Sequence, residues 1–324
     1  MADGMEDAQR EAPAQAPAAD GAGATGVALR DPIAWHDFVQ VVRTAEETGY
    51  RACLVPEIAG REAFSTLAGL AGATNRLLLG TGIVPMHARS AQVTAMAAAT
   101  VQELSGGRLV LGLGTGPPGP GALEALRSYV QSVRAALAGL PLVPPVPPPI
   151  WISALGERGF ALAGEVADGV LLNWCTPERV SRAREVVSAA AAGAGRDPRA
   201  VTIAVYVRAN LADEEAVAIE ALKEATGQYA LMPHYRRQLE AIGLAEPAGS
   251  AALAAGSGDV SGVPESLVRA LCLVGDPDAA RARLDAFRAA GADLPIVYPV
   301  PGRDPVSSIL GTVLAAAPSS TLDA

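Results

Sequence analysis

The sequence predicts an α/β fold, specifically a (β/α)8 TIM barrel with a helical insertion between its seventh and eighth strands. Short apolar runs alternate with helical stretches from residue 25 onward, and eight such runs occur, which is the number that closes a barrel. Most runs are continuously apolar, such as LLL at 77–79 and VLL at 170–172. Runs of this kind are typical of parallel strands covered on both faces. The alternation therefore favours the barrel over a doubly wound open sheet.

The predicted strands each lead into a turn marked by glycine or proline before the next helical stretch. Residues 1–24 precede them, are rich in Ala, Gly, Pro and Asp, and show no periodic apolar face. We expect this segment to be a disordered tail, with residues 25–324 forming a single barrel domain. The eight predicted strands span residues 25–29, 52–56, 77–84, 108–113, 149–153, 169–173, 201–207 and 294–298.

Capping signals mark the helix boundaries. A helix predicted over 34–48 ends at Gly49, and one over 90–104 begins at Ser90 and ends at Ser-Gly-Gly. Residues 208–293 separate the last two strands, which is too long a connection for one crossover helix. We therefore expect an insertion at about 210–265, helical at first and continuing as an Ala/Gly/Ser-rich mobile loop over 246–262.

Composition excludes several classes of protein. The net charge of −9 argues against nucleic acid and anionic membrane surfaces as partners and favours a small-molecule ligand. Lys223 is the only lysine, which excludes a P-loop and a pyridoxal-phosphate site. No uncharged apolar run reaches the roughly 18 residues of a transmembrane helix, and no basic segment with an apolar core marks a secretory signal. We expect a cytoplasmic protein.

The spacing of the cysteines, histidines and glycines supports neither a disulfide or metal site nor a dinucleotide-binding site. Cys53, Cys175 and Cys272 are far apart and the histidines are equally scattered, so we expect buried free thiols and no metal site. A GxGxxG pattern at 114–119 follows a strand, but its prolines remove amide donors that a dinucleotide-binding helix needs. Its glycines are better suited to letting a ligand approach the end of the fourth strand.

Several short motifs occur in a defined order, and together they carry a family resemblance. The chain resembles the luciferase-like monooxygenase superfamily over roughly residues 25–300, and PEIAGR at 56–61 and MPHYR at 232–236 are most similar to its coenzyme F420-dependent branch. The resemblance implies a homodimeric barrel that binds F420, or alternatively FMN, at its C-terminal mouth. It also implies hydride transfer between F420 and a small organic substrate. The ordered motifs are EETGY at 46–50, TNRLLLGTG at 74–82, SGGR at 105–108, LGLGT at 111–115, ADG at 167–169 and VGDPD at 274–278.

The resemblance further implies a cofactor site built from strand ends. A non-prolyl cis peptide bond is expected between Gly82 and Ile83, under the central ring of the cofactor. The segment from Ser153 to Arg158 leads into a helix whose first-turn amides and guanidinium can hold a phosphate. The expected cofactor contacts are Thr81, Gly82, Ile83, Thr115, Ser153, Ala154, Gly156, Arg158, Asn173 and Trp174.

Two residues are predicted to be catalytic. Glu57 ends the second strand, where it acts as a general acid or forms a structural ion pair with Arg61. His87 follows the third strand and could protonate a substrate near neutral pH. Arg89, beside it, and His234, in the insertion, are the candidate substrate contacts.

The sequence departs from the sugar-phosphate dehydrogenases of the F420 branch. Those enzymes carry an Asp-His pair after the second strand and an acid after the fourth, where this chain has Glu57-Ile58 and Pro117. Sugar-phosphate oxidation is therefore disfavoured. An FMNH2-dependent monooxygenase and a non-catalytic barrel that only binds a cofactor are the alternatives to an F420-dependent oxidoreductase.

Overall fold

Eight parallel strands form a closed barrel in a computed structural model of the chain. The final barrel strand pairs both with the first strand and with the barrel strand that precedes it in the chain, so the sheet closes on itself. The predicted (β/α)8 barrel is therefore confirmed. The predicted tail at 1–24 lies outside the described residues except for its last two positions, and Pro117 lies outside them as well. The structure describes residues 23–30, 32–116, 119–141 and 146–318.

The strands of the described residues are numbered here in chain order. Their bounds are β1 Gly26–Ala28, β2 Ala52–Val55, β3 Leu78–Thr81, β4 Val84–Pro85, β5 Leu109–Gly114, β6 Ile150–Ser153, β7 Gly169–Asn173, β8 Thr202–Asn210, β9 Leu273–Val274 and β10 Leu294–Pro299. The short strands β4 and β9 pair only with β5 and β8, and the other eight form the barrel. Each of the eight predicted strands matches one barrel strand.

Helices cover the outside of the barrel. Ser90 begins one of them as predicted, because its Oγ accepts a hydrogen bond of 3.3 Å from the Val93 amide. None of the helices in the described part of the chain is long and apolar enough to cross a membrane. The helices are α1 Trp35–Glu47, α2 Ala63–Ala71, α3 Ala91–Leu104, α4 Ala122–Ala138, α5 Glu157–Val166, α6 Pro177–Gly193, α7 Glu215–Leu231, α8 Pro233–Ala241, α9 Ala245–Ser257, α10 Glu265–Leu271, α11 Pro277–Ala289 and α12 Pro305–Ala315.

Strand β8 extends beyond its predicted end at residue 207. It continues to Asn210 because Arg208 and Ala209 pair with the last residues of β10, and Asn210 pairs with β9. The pairing supplies backbone partners that the local sequence does not reveal. The extension places Arg208 inside a barrel strand rather than in a loop.

The core has two layers, one inside the barrel and one between the strands and the surrounding helices. Leu54, Trp151, Leu171 and Ile296 fill the interior, and each is at least 97% buried. Burying one such large apolar side chain stabilises the fold by about 1.5–3 kcal/mol. The outer layer explains the continuous apolar runs, because side chains on both faces of each strand are buried.

The insertion is helical throughout most of its length, and this corrects one expectation. The segment 246–262 was expected to be a mobile loop, but α9 occupies most of it. Alanine has the highest helix propensity, and Ala248, Ala251 and Ala252 form a buried face of α9. A β-carbon on Gly227 of α7 would lie 3.0 Å from Ala255, so the two helices approach closely. Composition alone suggested a loop, whereas packing against α7 stabilises a helix.

The three cysteines are buried and free of disulfide bonds, as predicted. Burial raises the pKa of each thiol to about 12. The thiols of Cys53, Cys175 and Cys272 therefore stay protonated at neutral pH and act as small apolar side chains.

Candidate active site

A cavity of about 620 Å³ opens at the C-terminal ends of the barrel strands, where the active sites of (β/α)8 enzymes form. Its size is within the range of small-molecule and cofactor sites. The wall combines strand ends with the first turn of α5 and with α8 of the insertion. The predicted site residues that line it are Glu57, Gly82, Ile83, Thr115, Ser153, Ala154, Gly156, Arg158, Asn173 and His234.

The peptide bond between Gly82 and Ile83 is cis, as predicted. Tyr206 donates a hydrogen bond of 2.8 Å from its hydroxyl to the Gly82 carbonyl oxygen. Burial raises the pKa of Tyr206, so the hydroxyl keeps its proton and remains a donor. A β-carbon at position 82 would lie 1.7 Å from the Tyr206 oxygen, so this arrangement admits only glycine.

Two of the expected cofactor contacts lie away from the cavity wall. The hydroxyl of Thr81 donates to the Gly112 carbonyl oxygen at 2.7 Å and accepts from the Gly112 amide at 2.8 Å, so it ties β3 to β5. Trp174 is 97% buried, and its ring packs 4.9 Å from the ring of Tyr229 in α7. Both side chains occupy the packing around the site, and neither is among the residues that line the cavity.

Glu57, at the cavity wall, is held in an ion-pair network. Arg89 donates hydrogen bonds of 2.6 and 2.8 Å to the two carboxylate oxygens of Glu57 and one of 2.6 Å to Glu62. The Ala63 amide donates a further bond of 3.0 Å to Glu57. The hydrogen bond with Glu57 raises the pKa of Arg89. The carboxylate of Glu57 is therefore fixed in one orientation.

This network differs from the ion pair considered from the sequence. The ion-pair partner of Glu57 is Arg89, not Arg61 as considered from the sequence. Arg61 donates a hydrogen bond of 2.9 Å to the Ile33 carbonyl oxygen and lies over the ring of Phe38. Arg89, expected to contact substrate, does not line the cavity. Its donors are directed to Glu57 and to Glu62 instead.

His87 is exposed and is not among the residues that line the cavity. Its imidazole packs against Gly116, where a β-carbon would lie 2.3 Å from the ring. Gly116 does line the cavity. The structure thus brings Glu57 to the cavity wall and leaves His87 outside the cavity lining.

The first turn of α5 presents backbone amides at the cavity wall. Its N-cap residue is Gly156, which has no side chain to accept from these amides, whereas Glu62 and Ser90 cap α2 and α3. Arg158 is exposed on the same wall and forms no ion pair with a residue that the structure describes. Together with the Ser153 hydroxyl and the positive end of the helix dipole, these donors suit a phosphate group.

Helix α8 brings part of the insertion to the cavity. His234, Tyr235 and Arg237 all line it. Burial, together with the charge of nearby Arg237, lowers the pKa of His234. The Tyr235 hydroxyl accepts a hydrogen bond of 3.0 Å from Asn173, and burial raises the pKa of Tyr235 to about 12. The insertion therefore contributes directly to the candidate site.

Arg208 was not among the predicted site residues, yet it lines the cavity at the end of β8 and is only 4% exposed. It donates to Oδ1 of Asn173 at 2.5 Å and to the Tyr229 hydroxyl at 3.4 Å. Its guanidinium carbon lies 4.1 Å from the centre of the Tyr298 ring and 4.7 Å from that of Trp174. The two-residue period of a strand, continued from residues 204 and 206, would have placed it on the inner face.

These features define a class, the (β/α)8 barrels with a small-molecule cavity at their C-terminal mouth. A family model described as luciferase-like monooxygenase matches residues 12–294. The chain belongs to this family, and the family predicted from the order of its motifs is confirmed.

The relatives include reductases and monooxygenases. A 5,10-methylenetetrahydromethanopterin reductase of Methanolobus tindarius is 30% identical over 287 residues, covering 79% of this chain and 87% of that protein. The solved coenzyme F420-dependent tetrahydromethanopterin reductase of Methanopyrus kandleri superposes with a TM-score of 0.78 at 24% identity, over 91% of this chain and 97% of that one. The oxygenating constituent of 3,6-diketocamphane monooxygenase of Pseudomonas putida was solved with FMN. It superposes with a TM-score of 0.62 at 17% identity, over 91% of this chain and 97% of that one. The two structural likenesses show the fold alone.

Proposed function

We propose that this protein is a coenzyme F420-dependent oxidoreductase that transfers a hydride between the deazaflavin and a small organic substrate. The observation that carries the proposal is that one cavity is lined both by Gly82 and Ile83 and by the first turn of α5, whose amide donors suit a phosphate group. The sequence similarity to a methanopterin reductase over most of both chains supports this cofactor, because a solved reductase of the same kind is F420-dependent.

The residues at the wall fit such a cofactor. The amides of α5, the Ser153 hydroxyl and the Arg158 guanidinium would hold its phosphate. The apolar side chains of Ile83 and Leu171 suit a ring system. Bound F420 supplies a ring carbon that accepts or releases a hydride. The chain itself orients the reactants and excludes water from them.

A proton must accompany the hydride, because hydride transfer to or from a carbon changes the charge on a neighbouring atom. The group that holds this proton must lie within about 3 Å of that atom or act through one water. Glu57 and His234 line the cavity, so a bound substrate can reach both side chains. We propose Glu57 as a catalytic residue and Arg89 as the residue that positions it. His87 remains a further candidate for this proton, and the H87Q variant tests it.

Turnover assays separate this function from its two alternatives. An F420-dependent oxidoreductase consumes reduced F420 with at least one member of a panel of ketones, enones and imines, under nitrogen as well as in air. An FMNH2-dependent monooxygenase consumes oxygen with reduced FMN and one of these compounds. A non-catalytic barrel binds a cofactor and turns over none of the panel. Consumption of reduced FMN but not of reduced F420 would contradict the proposal.

We also propose that the protein forms a homodimer through α3. Exposed apolar side chains on a helix mark an interaction surface when they share one face. Val93, Met96 and Leu104 lie on one face of α3, and each exposes more than half of its surface. This apolar face supports the packing of α3 against a second copy of the chain.

A further inference from the structure

A second cavity, of about 450 Å³, adjoins the first. Arg208, Tyr229 and Tyr298 line both cavities and form their common wall. The rest of the second cavity is formed by the segments that follow β1 and β2, by the end of β10 and the segment after it, and by α7 and α12. Most of its lining is apolar and includes Leu29, Pro32, Ala221, Ala225, Val300 and Ile309.

The charged residues that line the second cavity differ in their exposure to solvent. Arg30 and Glu224 line the cavity, but both side chains are exposed. Arg208, in contrast, is 4% exposed and lies where the two cavities meet. Solvent screens the two exposed charges much more than it screens Arg208. The buried end of the cavity therefore carries a positive charge.

The guanidinium of Arg208 has donors to spare. Within the part of the chain that the structure describes, it forms no ion pair with a carboxylate, and its two hydrogen bonds go to neutral acceptors, Asn173 and Tyr229. A guanidinium carries five N–H groups. Four aromatic rings lie within 5.6 Å of its central carbon and compensate part of the cost of burying the charge. An anionic oxygen from a ligand would supply the missing opposite charge.

We propose that the second cavity binds the substrate, that this substrate is an apolar carboxylic acid that also bears a ketone or enone group to exchange the hydride, and that Arg208 binds its carboxylate. This inference rests on the proposed function, which assigns the larger cavity to the cofactor. The planar fork of a guanidinium matches the two oxygens of a carboxylate, and the apolar lining accommodates the rest of the molecule. Because Arg208 borders both cavities, the carboxylate end of the substrate lies next to the cofactor.

The test compares carboxylates with their neutral amides. The probes are hexanoate, octanoate and 4-phenylbutanoate, each paired with its primary amide. Their binding to the full-length protein is measured by calorimetry, first without cofactor and then with saturating F420. We expect the wild type to bind at least one acid tenfold or more tightly than its amide, and the acid to bind in the presence of F420 as well as in its absence.

Three variants locate the site. R208Q removes the charge and should abolish the preference for the acid, as measured without cofactor. R208K keeps the charge without the fork and should retain part of the preference. R158Q is the matched control, because Arg158 lines the cofactor cavity and not the second cavity. It should weaken F420 binding and leave the preference for the acid unchanged.

A fourth variant keeps the proposal testable if R208Q does not fold. Ala225 lines the second cavity and not the first, so A225F should exclude the acids and leave F420 binding intact. The proposal is overturned if no acid binds better than its amide, if acids and F420 displace each other, or if R208Q keeps the preference for the acid. The preference for acids is measured without cofactor, so it tests this inference even if F420 does not bind. Failure of F420 to bind would contradict the proposed function alone.

Discussion

Arg89 holds both carboxylate oxygens of Glu57, with hydrogen bonds of 2.6 and 2.8 Å. The side chains are only 16% and 15% exposed, so the pair is poorly screened by solvent. Glu57 follows β2 and Arg89 follows β4, so the ion pair joins two neighbouring loops at the barrel mouth. The pair thus links the stability of the mouth to the orientation of a proposed catalytic group.

Replacing Glu57 with glutamine should affect both properties. E57Q leaves Arg89 with Glu62 alone, and we expect the free energy of unfolding to fall by about 2 kcal/mol. Loss of the carboxylate should also lower kcat by roughly 10²-fold. Denaturant unfolding and turnover of reduced F420 measure the two effects. E265Q, which breaks an exposed pair with Arg269, is the control and should change stability by less than about 0.5 kcal/mol. Unchanged kcat in E57Q would limit Glu57 to a structural role.

The two histidines of the site can be ranked by matched variants. His234 lines the cavity, whereas His87 is exposed and packs against Gly116. We expect H234Q to lower kcat/KM by at least tenfold, while H87Q stays within threefold of the wild type, because only a group that reaches the reactants can contribute to the chemistry. Steady-state kinetics with reduced F420 measure both. A loss of roughly 10²-fold in H87Q would instead support the catalytic role predicted from the sequence.

His234 should also make stability depend on pH. Its pKa is lowered from 6.5, first by burial and then by Arg237, so the unfolded chain binds a proton more readily than the folded protein does. Stability from this group is therefore fully present above pH 6.5 and falls as the pH drops toward the lowered pKa. H234Q should flatten the curve of unfolding free energy against pH between about 7 and 5. Identical curves for the variant and the wild type would contradict this expectation.

Cofactor choice is open to direct measurement. We expect F420 to bind at least tenfold more tightly than FMN, a difference of about 1.4 kcal/mol. Parallel fluorescence titrations of the purified protein give both dissociation constants. R158Q should weaken both cofactors by similar factors, because the phosphate is common to them. Tighter binding of FMN would favour the monooxygenase alternative.

The proposed homodimer predicts a change in mass when α3 is made polar. M96E places a charge on the apolar face of α3, and we expect it to convert the dimer to a monomer because burying an unpaired charge is costly. Light scattering during size-exclusion chromatography measures the mass. L253E is the control, since Leu253 is the most exposed of the large apolar side chains and lies on α9. A wild-type protein that is monomeric at micromolar concentration would contradict the homodimer.

Local patterns in the sequence were sufficient for the barrel. Each barrel strand is a short apolar run. The composition and periodicity of such a run can be read from the local sequence without knowing its neighbours in the fold. The order of the motifs identified the family, and with it the cis peptide bond at Gly82. The segment 246–262 is the exception, because its structure is not decided locally. Its alanines are compatible with loop or helix, and contact with α7 decides in favour of the helix.

Only the tertiary structure decided how the charged groups are paired. Arg61 is four positions from Glu57 in the chain, yet Arg89, thirty-two positions away, holds its carboxylate. Arg208 is one arginine among many in the sequence. Barrel closure against β10 turns it into a buried cation on the common wall of two cavities. Backbone periodicity is local, but the neighbours of a side chain at the barrel mouth come from separate loops. Ten of the fourteen predicted site residues line the cavity, whereas the pairing of the charged groups around it could not be predicted from the sequence.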